Sequence, residues 1–156
     1  MIRLVLVRHA KSDWGDPGLD DHDRPLNDRG RRDAPVMAAR LAETGFRPDA
    51  ILSSSALRAR TTAGVFAEAL GLAVQIDPEL YGAPAATLLG AAAASGAASV
   101  VVVAHDPGMS VLAGRLSDGG IGQMPTCAVA RFEWVADSWD VATALDPDDW
   151  SIDTPR

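Results

Sequence analysis

The sequence predicts a three-layer α/β/α sandwich with a mostly parallel central sheet and an antiparallel edge strand, and three observations predict it. Segments of strand and helix character alternate along the chain, the order that builds parallel sheets with helices on both faces. The stretches Ile2 to Val7 and Ser99 to Ala104 are short and almost wholly apolar, as strands covered on both faces are. Near the end of the chain, Ala128 to Val135 and Trp139 to Leu145 flank a polar turn and suit an antiparallel pair.

Each element follows from local signals. The first strand, Ile2 to Val7, enters a long charged loop from about Lys11 to Leu26 that contains Pro and Gly. Asn27 suits the N-cap of a helix running to about Thr44, with Ala34, Met37, Ala38 and Leu41 at helical spacing and Gly45 as its stop. Ala50-Ile51-Leu52 reads as the second strand, and a helix from about Ala56 to Leu70 ends at Gly71. Ala73 to Ile76 offers a third strand, and Pro84 opens an alanine-rich helix. The β-branched run from Val100 to Val103 belongs at the centre of the sheet, and residues 109 to 117 suit a short helix behind it. From about residue 146 the composition is that of a loosely packed acidic tail.

The 156 residues are expected to form a single domain, long enough to bury roughly two-thirds of the unfolded surface. The net charge of -7 is concentrated late: residues 132 to 155 hold Glu133, Asp137, Asp140, Asp146, Asp148, Asp149 and Asp153 with no Lys or Arg. An acidic chain without a basic run makes a poor nucleic-acid binder, because neutralising phosphates supplies most non-specific affinity. No apolar run approaches the ~20 residues that cross a bilayer, and the apolar start is too short for a secretory signal. No membrane partner and a cytoplasmic location are therefore expected. Cys127 is the only cysteine, which leaves no intrachain disulfide and no cysteine-rich metal site.

Open α/β sheets bind ligands beyond the carboxyl ends of their strands. At those ends the sequence places Arg8-His9, Ser53-Ser54-Ser55 followed by Arg58, and His105. Two guanidinium groups suit the oxygens of a phosphoryl group, which each can grip in pairs. Neighbouring arginine charge disfavours protonation of an imidazole and keeps its lone pair available, so His9 has the chemistry of a nucleophile. His105 suits donation to a phosphoryl oxygen in the transition state. Such chemistry needs neither metal nor cofactor.

Leu4-Val5-Leu6-Val7-Arg8-His9-Ala10 resembles the Arg-His signature of the histidine phosphatases and cofactor-dependent phosphoglycerate mutases. The segment from Ser53 to Ala63 is similar to the family's second signature, which supplies a phosphate-binding arginine, here Arg58. Val101-Val102-Val103-Ala104-His105 resembles the third, which brings in the second histidine. The resemblance implies a phosphoglycerate mutase-like fold and a metal-independent phosphatase. The same resemblance implies that His9 becomes transiently phosphorylated, that Arg8, Arg58 and His105 bind the phosphoryl group, and that water then releases inorganic phosphate. The short chain, with Arg8 to Trp14, Asp23-Arg24-Pro25-Leu26-Asn27 and Glu79-Leu80-Tyr81, resembles the SixA-like phosphohistidine phosphatases. In that branch the arginine before Pro-Leu also reaches the phosphate, which makes Arg24 a further candidate; Asn27 stands where relatives often have threonine.

Glu79 falls where relatives acting on phosphate esters supply a proton donor, and Ser12 follows the nucleophile closely enough to line the entrance. The alternative for Arg24 is an ion pair with Asp20, Asp21 or Asp23, and His22 among these acids reads as solvated. Asp20-Asp21-His22-Asp23 has neither the spacing nor the glycine of a calcium loop, and the four tryptophans read as packing or edge residues. The expected partner is a phosphohistidine-bearing protein. A phosphatase for small phosphate esters such as phosphosugars is the alternative, and a non-catalytic phosphate-binding module, which would not need His9, is the third. A mutase would need a held phosphodonor and a lid that so short a chain does not advertise.

Overall fold

The computed structural model describes residues 1–156. Six strands form one sheet: β1 (Ile2–Arg8), β2 (Ala50–Ser53), β3 (Val74–Ile76), β4 (Ser99–Ala104), β5 (Val129–Trp134) and β6 (Asp149–Asp153), in the order β3-β2-β4-β1-β5-β6. The first four in that order run parallel, while β5 pairs antiparallel with both β1 and β6. The fold is therefore the mixed α/β sandwich expected, with its antiparallel strands at one edge.

Strand periodicity divides the core in two. Leu4, Leu6, Val100 and Val102 face one way, into a cluster with Leu88, Met109, Leu112, Phe132 and Trp134. Val5, Val7, Val101 and Val103 face the other way, against Met37, Leu41, Phe66 and Leu70. The apolar runs are unbroken because both faces are covered. Each such Val or Leu contributes roughly 1.5–3 kcal/mol when fully buried. The helices α1 (Asp28–Glu43) and α2 (Leu57–Leu70) cover the second face, and α3 (Ala85–Ala93) and α4 (Gly108–Leu116) cover the first. Asn27 caps α1 by accepting the Gly30 N–H at 2.9 Å, and Gly71 ends α2 with φ +79°.

The end of the chain departs from the sequence reading. Trp139 to Leu145 is not a strand: Trp139–Ala142 forms a short helix, α5, whose N-cap Ser138 accepts the Val141 N–H. Its ring explains why. The buried Trp139 indole packs beside Trp134 with centroids 6.1 Å apart and donates to the Ala97 carbonyl at 2.7 Å, an anchor that outweighs the strand propensity of Val141 and Thr143. The missing strand is β6, inside the acidic stretch expected to be a loose tail. Its side chains are largely exposed, so its apolar residues, Trp150 and Ile152, make only a brief alternation among polar ones, and Asp149 and Asp153 suit an unpaired edge. It is held by its ladder to β5, by the Trp150 ring lying against Gly120, and by ion pairs of Arg156 with Asp33 (2.7 Å) and Arg40 with Asp153 (3.4 Å).

The loop after β1 is pinned at its base. Ser12 bridges Leu26, the Asp13 N–H donates to Pro25 O at 2.8 Å, and the Asn27 N–H donates to Lys11 O at 3.0 Å. Lys11 O passes so close to α1 that a Cβ on Gly30 would lie 2.1 Å from it. Gly30→Ala is expected to force the loop off α1 and destabilise the chain by about 1–3 kcal/mol. A thermal melt would register this as a fall of several degrees; an unchanged melting temperature would contradict the close approach.

Candidate active site

Three adjacent strands deliver the site. Arg8 at the end of β1 lies opposite Ala104 of β4, Ser53 of β2 lies opposite Val103, and the His9 N–H donates to Ala104 O at 3.1 Å. The pairing sets His9 beside His105, with ring centroids 5.1 Å apart. Thr62, buried on α2, accepts the Ala10 N–H at 3.0 Å and donates to Arg58 O at 2.8 Å, which ties the turn carrying His9 to the helix carrying Arg58.

The ring nitrogens of His9 have distinct roles. Nδ1 lies 2.7 Å from the Ala10 carbonyl, which only accepts, so Nδ1 carries the hydrogen and Nε2 the lone pair. Burial lowers the His9 pKa to about 4, with the charges of Arg58, Arg8 and Arg24 acting the same way against the hydrogen bond to Ala10. His105 is buried too, and its Nε2 lies 2.8 Å from Ser54 Oγ. Ser54 is fully buried, and apart from accepting the Ala56 N–H its hydroxyl has no other partner than His105, so its hydrogen goes to His105 Nε2. That assigns the ring hydrogen to Nδ1, which has no partner in the protein. The His105 pKa falls to about 3, chiefly through burial, then through His9 and Arg58.

At this rim Arg8 Nε and Arg58 Nε are likewise buried without a partner. A buried unpartnered donor costs about 1–3 kcal/mol, a cost that an anion reaching these N–H groups would remove. Several of the remaining donors of these arginines are engaged by the protein. Arg8 Nη1 donates to Met124 O at 2.8 Å and lies 3.5 Å from Asp106 Oδ2. Arg58 donates through Nη1 to Asp21 O at 2.7 Å and through Nη2 to Asp21 Oδ2 at 2.9 Å. Arg24, also buried, donates to Ser12 Oγ at 2.7 Å, to Asp13 O at 3.2 Å and to Asp21 Oδ1 at 3.1 Å, with its guanidinium 3.4 Å from the centre of the exposed Trp14 ring.

The structure thus brings together His9, His105, Arg8, Arg58 and Arg24, with Ser12 touching the site through Arg24. It does not bring in Glu79, which is exposed on the 3-10 turn Pro78–Leu80 and makes no hydrogen bond or ion pair with these residues. Tyr81, two residues on, does reach the site: its hydroxyl donates to Asp21 Oδ2 at 2.6 Å, and its ring stands edge-on to His105. His22, expected in solvent, lies with Nε2 2.9 Å from Ser55 Oγ and its ring against Tyr81. Asn27 serves α1 rather than the site. Ser54, Thr62 and Tyr81 escaped the sequence reading because nothing local distinguishes them; only their place in the signature segments could have drawn attention to them.

An open cleft of about 550 Å³ adjoins Arg8 and is lined by Asp106, Pro107, Ser110, Val111, Gly122 and Gln123. No helix is long and apolar enough to cross a membrane.

Comparison with known proteins supplies the family. Residues 4–82 match the profile of the histidine phosphatase superfamily (branch 1). An uncharacterised chloroplastic protein of Arabidopsis thaliana is 32% identical over 165 residues, covering 97% of this chain and 75% of that protein. The SixA structure from Agrobacterium tumefaciens superposes with a TM-score of 0.81 at 31% identity, covering 96% of this chain and 97% of that one. The tungstate complex of the protein histidine phosphatase SixA shares the fold, with a TM-score of 0.76 at 22% identity over 98% of this chain and 95% of that one. The chain belongs to the histidine phosphatase superfamily and is a phosphatase of its SixA-like branch.

Proposed function

We propose that this phosphatase dephosphorylates phosphohistidine in proteins by way of a phosphorylated His9. The observation that carries the reading is the neutral Nε2 of His9 set beside three buried, unpartnered N–H donors on Arg8, Arg58 and His105. Three donors match the three equatorial oxygens of a phosphoryl group in transfer. His9 Nε2 attacks phosphorus as the bond to the leaving nitrogen breaks. Water then attacks the phosphorylated His9, the new P–O bond forms, the P–N bond returns its electrons to Nε2, and dihydrogen phosphate carries off both water hydrogens.

The leaving group decides the substrate class. An alkyl phosphate leaves as an alkoxide and needs a proton donor, whereas an N-phosphorylated imidazole can be protonated on its other nitrogen and leave neutral. Asp21, the carboxylate between Arg24 and Arg58, is held well below the ordinary range, first by the Tyr81 hydroxyl and then by Arg58 and Arg24, so it stays ionised and has no proton to give. Glu79 is exposed and makes no contact with the cradle. The likeness to SixA of A. tumefaciens and the open cleft beside Arg8 support a protein segment as substrate, and a cytoplasmic setting belongs to the same reading.

Phosphate release in chelator should be much faster from a phosphohistidine peptide than from a sugar phosphate, and His9→Ala should lose on the order of a thousandfold or more. Preference for the sugar phosphate would transfer the assignment to small esters, and activity surviving in His9→Ala would remove the mechanism.

The histidine pKa values carry a second expectation. With folded values near 4 and 3 for His9 and His105, the unfolded chain binds more protons than the native one below about 6.5. Stability should therefore fall as pH drops from about 6.5 toward 4. In a phosphate-free NMR titration the ring signals of His9 and His105 should hold still from about pH 8 to 5; movement centred near 6.5 would contradict the burial argument.

A further inference from the structure

Asp21 stands between two cations of this site, Arg24 and Arg58, and both of its carboxylate oxygens and its carbonyl are hydrogen-bonded. Asp21 Oδ1 accepts from Arg24 Nε at 3.1 Å and lies 3.1 Å from Arg24 Nη2. Its Oδ2 accepts from Arg58 Nη2 at 2.9 Å and from the Tyr81 hydroxyl at 2.6 Å. Its main-chain carbonyl takes Arg58 Nη1 at 2.7 Å. We infer that Asp21 is a positioning residue: it grips the outer edge of Arg58 with backbone and side chain together and thereby aims Arg58 Nε at the transferring phosphoryl group.

The geometry of guanidinium carries the argument. Its five N–H groups lie in one rigid plane, so fixing Nη1 and Nη2 fixes the direction of the N–H on Nε. Arg58 Nη1 and Nη2 are both fixed by one residue, and Nε is the atom left buried and unpartnered. Without the carboxylate a single contact to the Asp21 carbonyl remains, about which the plane can turn. Arg24 is held by the same carboxylate and by Ser12 and Asp13, and Tyr81 completes the set from the far side of the loop. The segment around Asp21 is anchored independently through His22 and Ser55.

Asp21 also invites the opposite reading, a resident anion that substrate must displace. The pattern of unpartnered atoms argues against it. The donors that Asp21 occupies are Nη1 and Nη2 of Arg58 and one edge of Arg24, while Arg8 Nε, Arg58 Nε and His105 Nδ1 remain open with Asp21 in place. The two readings give effects of opposite sign. Removing a negative charge that merely competed with phosphate would tighten anion binding, whereas loosening Arg58 weakens it and slows transfer.

The inference rests on the cradle being the phosphoryl site, and the experiment keeps the two apart. The intact chain and its Asp21→Asn, Asp21→Ala and Asp21→Glu variants are compared in turnover of an aryl phosphate, in tungstate affinity by calorimetry, and in melting temperature. A misaimed donor should reduce kcat by roughly 10- to 100-fold in Asp21→Asn and Asp21→Ala, weaken tungstate binding about tenfold, and be partly rescued in Asp21→Glu. Should Asp21→Ala fail to fold, Asp21→Asn, which keeps the shape, carries the same test. Tighter tungstate binding with unchanged or faster turnover overturns the inference in favour of a resident anion. Turnover within about twofold of the intact chain in every variant also overturns it, as does equal loss in all three that tracks a lowered melting temperature. If the intact chain neither binds tungstate nor turns over any phosphate, the phosphatase reading itself fails and takes this inference with it.

Discussion

The parallel pairing of β1 with β4, with Arg8 opposite Ala104, is the contact on which the site depends. It sets His9 and His105 one residue beyond paired strand ends and brings their rings side by side. The register is fixed by the core: a slip of one residue would turn Val5 and Val7 toward the cluster that Leu4 and Leu6 fill, on the opposite face. Burial that stabilises the sheet is therefore the same burial that places the two imidazoles. It also strips them of water, which is the largest single reason that both stay neutral.

Charge within the site is balanced unevenly. Arg24 and Arg58 share Asp21, and Arg8 stands near Asp106, whose carboxylate is turned chiefly to Ser110. Among the fully buried groups here, what remains open is a set of N–H donors on Arg8, Arg58 and His105. Fixed donors of this kind select by direction as well as by Coulomb attraction, and in the proposed function a phosphoryl group would take up Arg8 Nε, Arg58 Nε and His105 Nδ1. Ser54 and Thr62 act one step behind, the first fixing the ring hydrogen of His105 and the second joining the turn at Ala10 to α2.

Much of this was legible in the sequence because strand ends announce themselves. The apolar runs before Arg8 and His105 stop abruptly at polar residues, and topology then places those residues at one rim. Glu79 and Tyr81 show the limit of that reasoning: they lie two residues apart, and the orientation of one 3-10 turn leaves the first outside and brings the second in. Asp21 was legible as a partner for Arg24 but not as a partner for Arg58, since that contact crosses 37 residues of chain. The edge strand β6 was hidden because it is short and buries little, with Trp150 and Ile152 its only apolar residues, and it is held mainly by a hydrogen-bond ladder that leaves no mark on composition.

The most direct test of the account is to trap the phosphorylated intermediate. Rapid acid-free quenching of the intact chain during turnover of a radiolabelled phosphohistidine peptide, followed by digestion and mapping, should place one alkali-stable, acid-labile phosphoryl group per chain on the peptide that contains His9. Phosphate release at full rate with no label on the chain, or with label on any residue other than His9, would contradict the nucleophile on which the account rests.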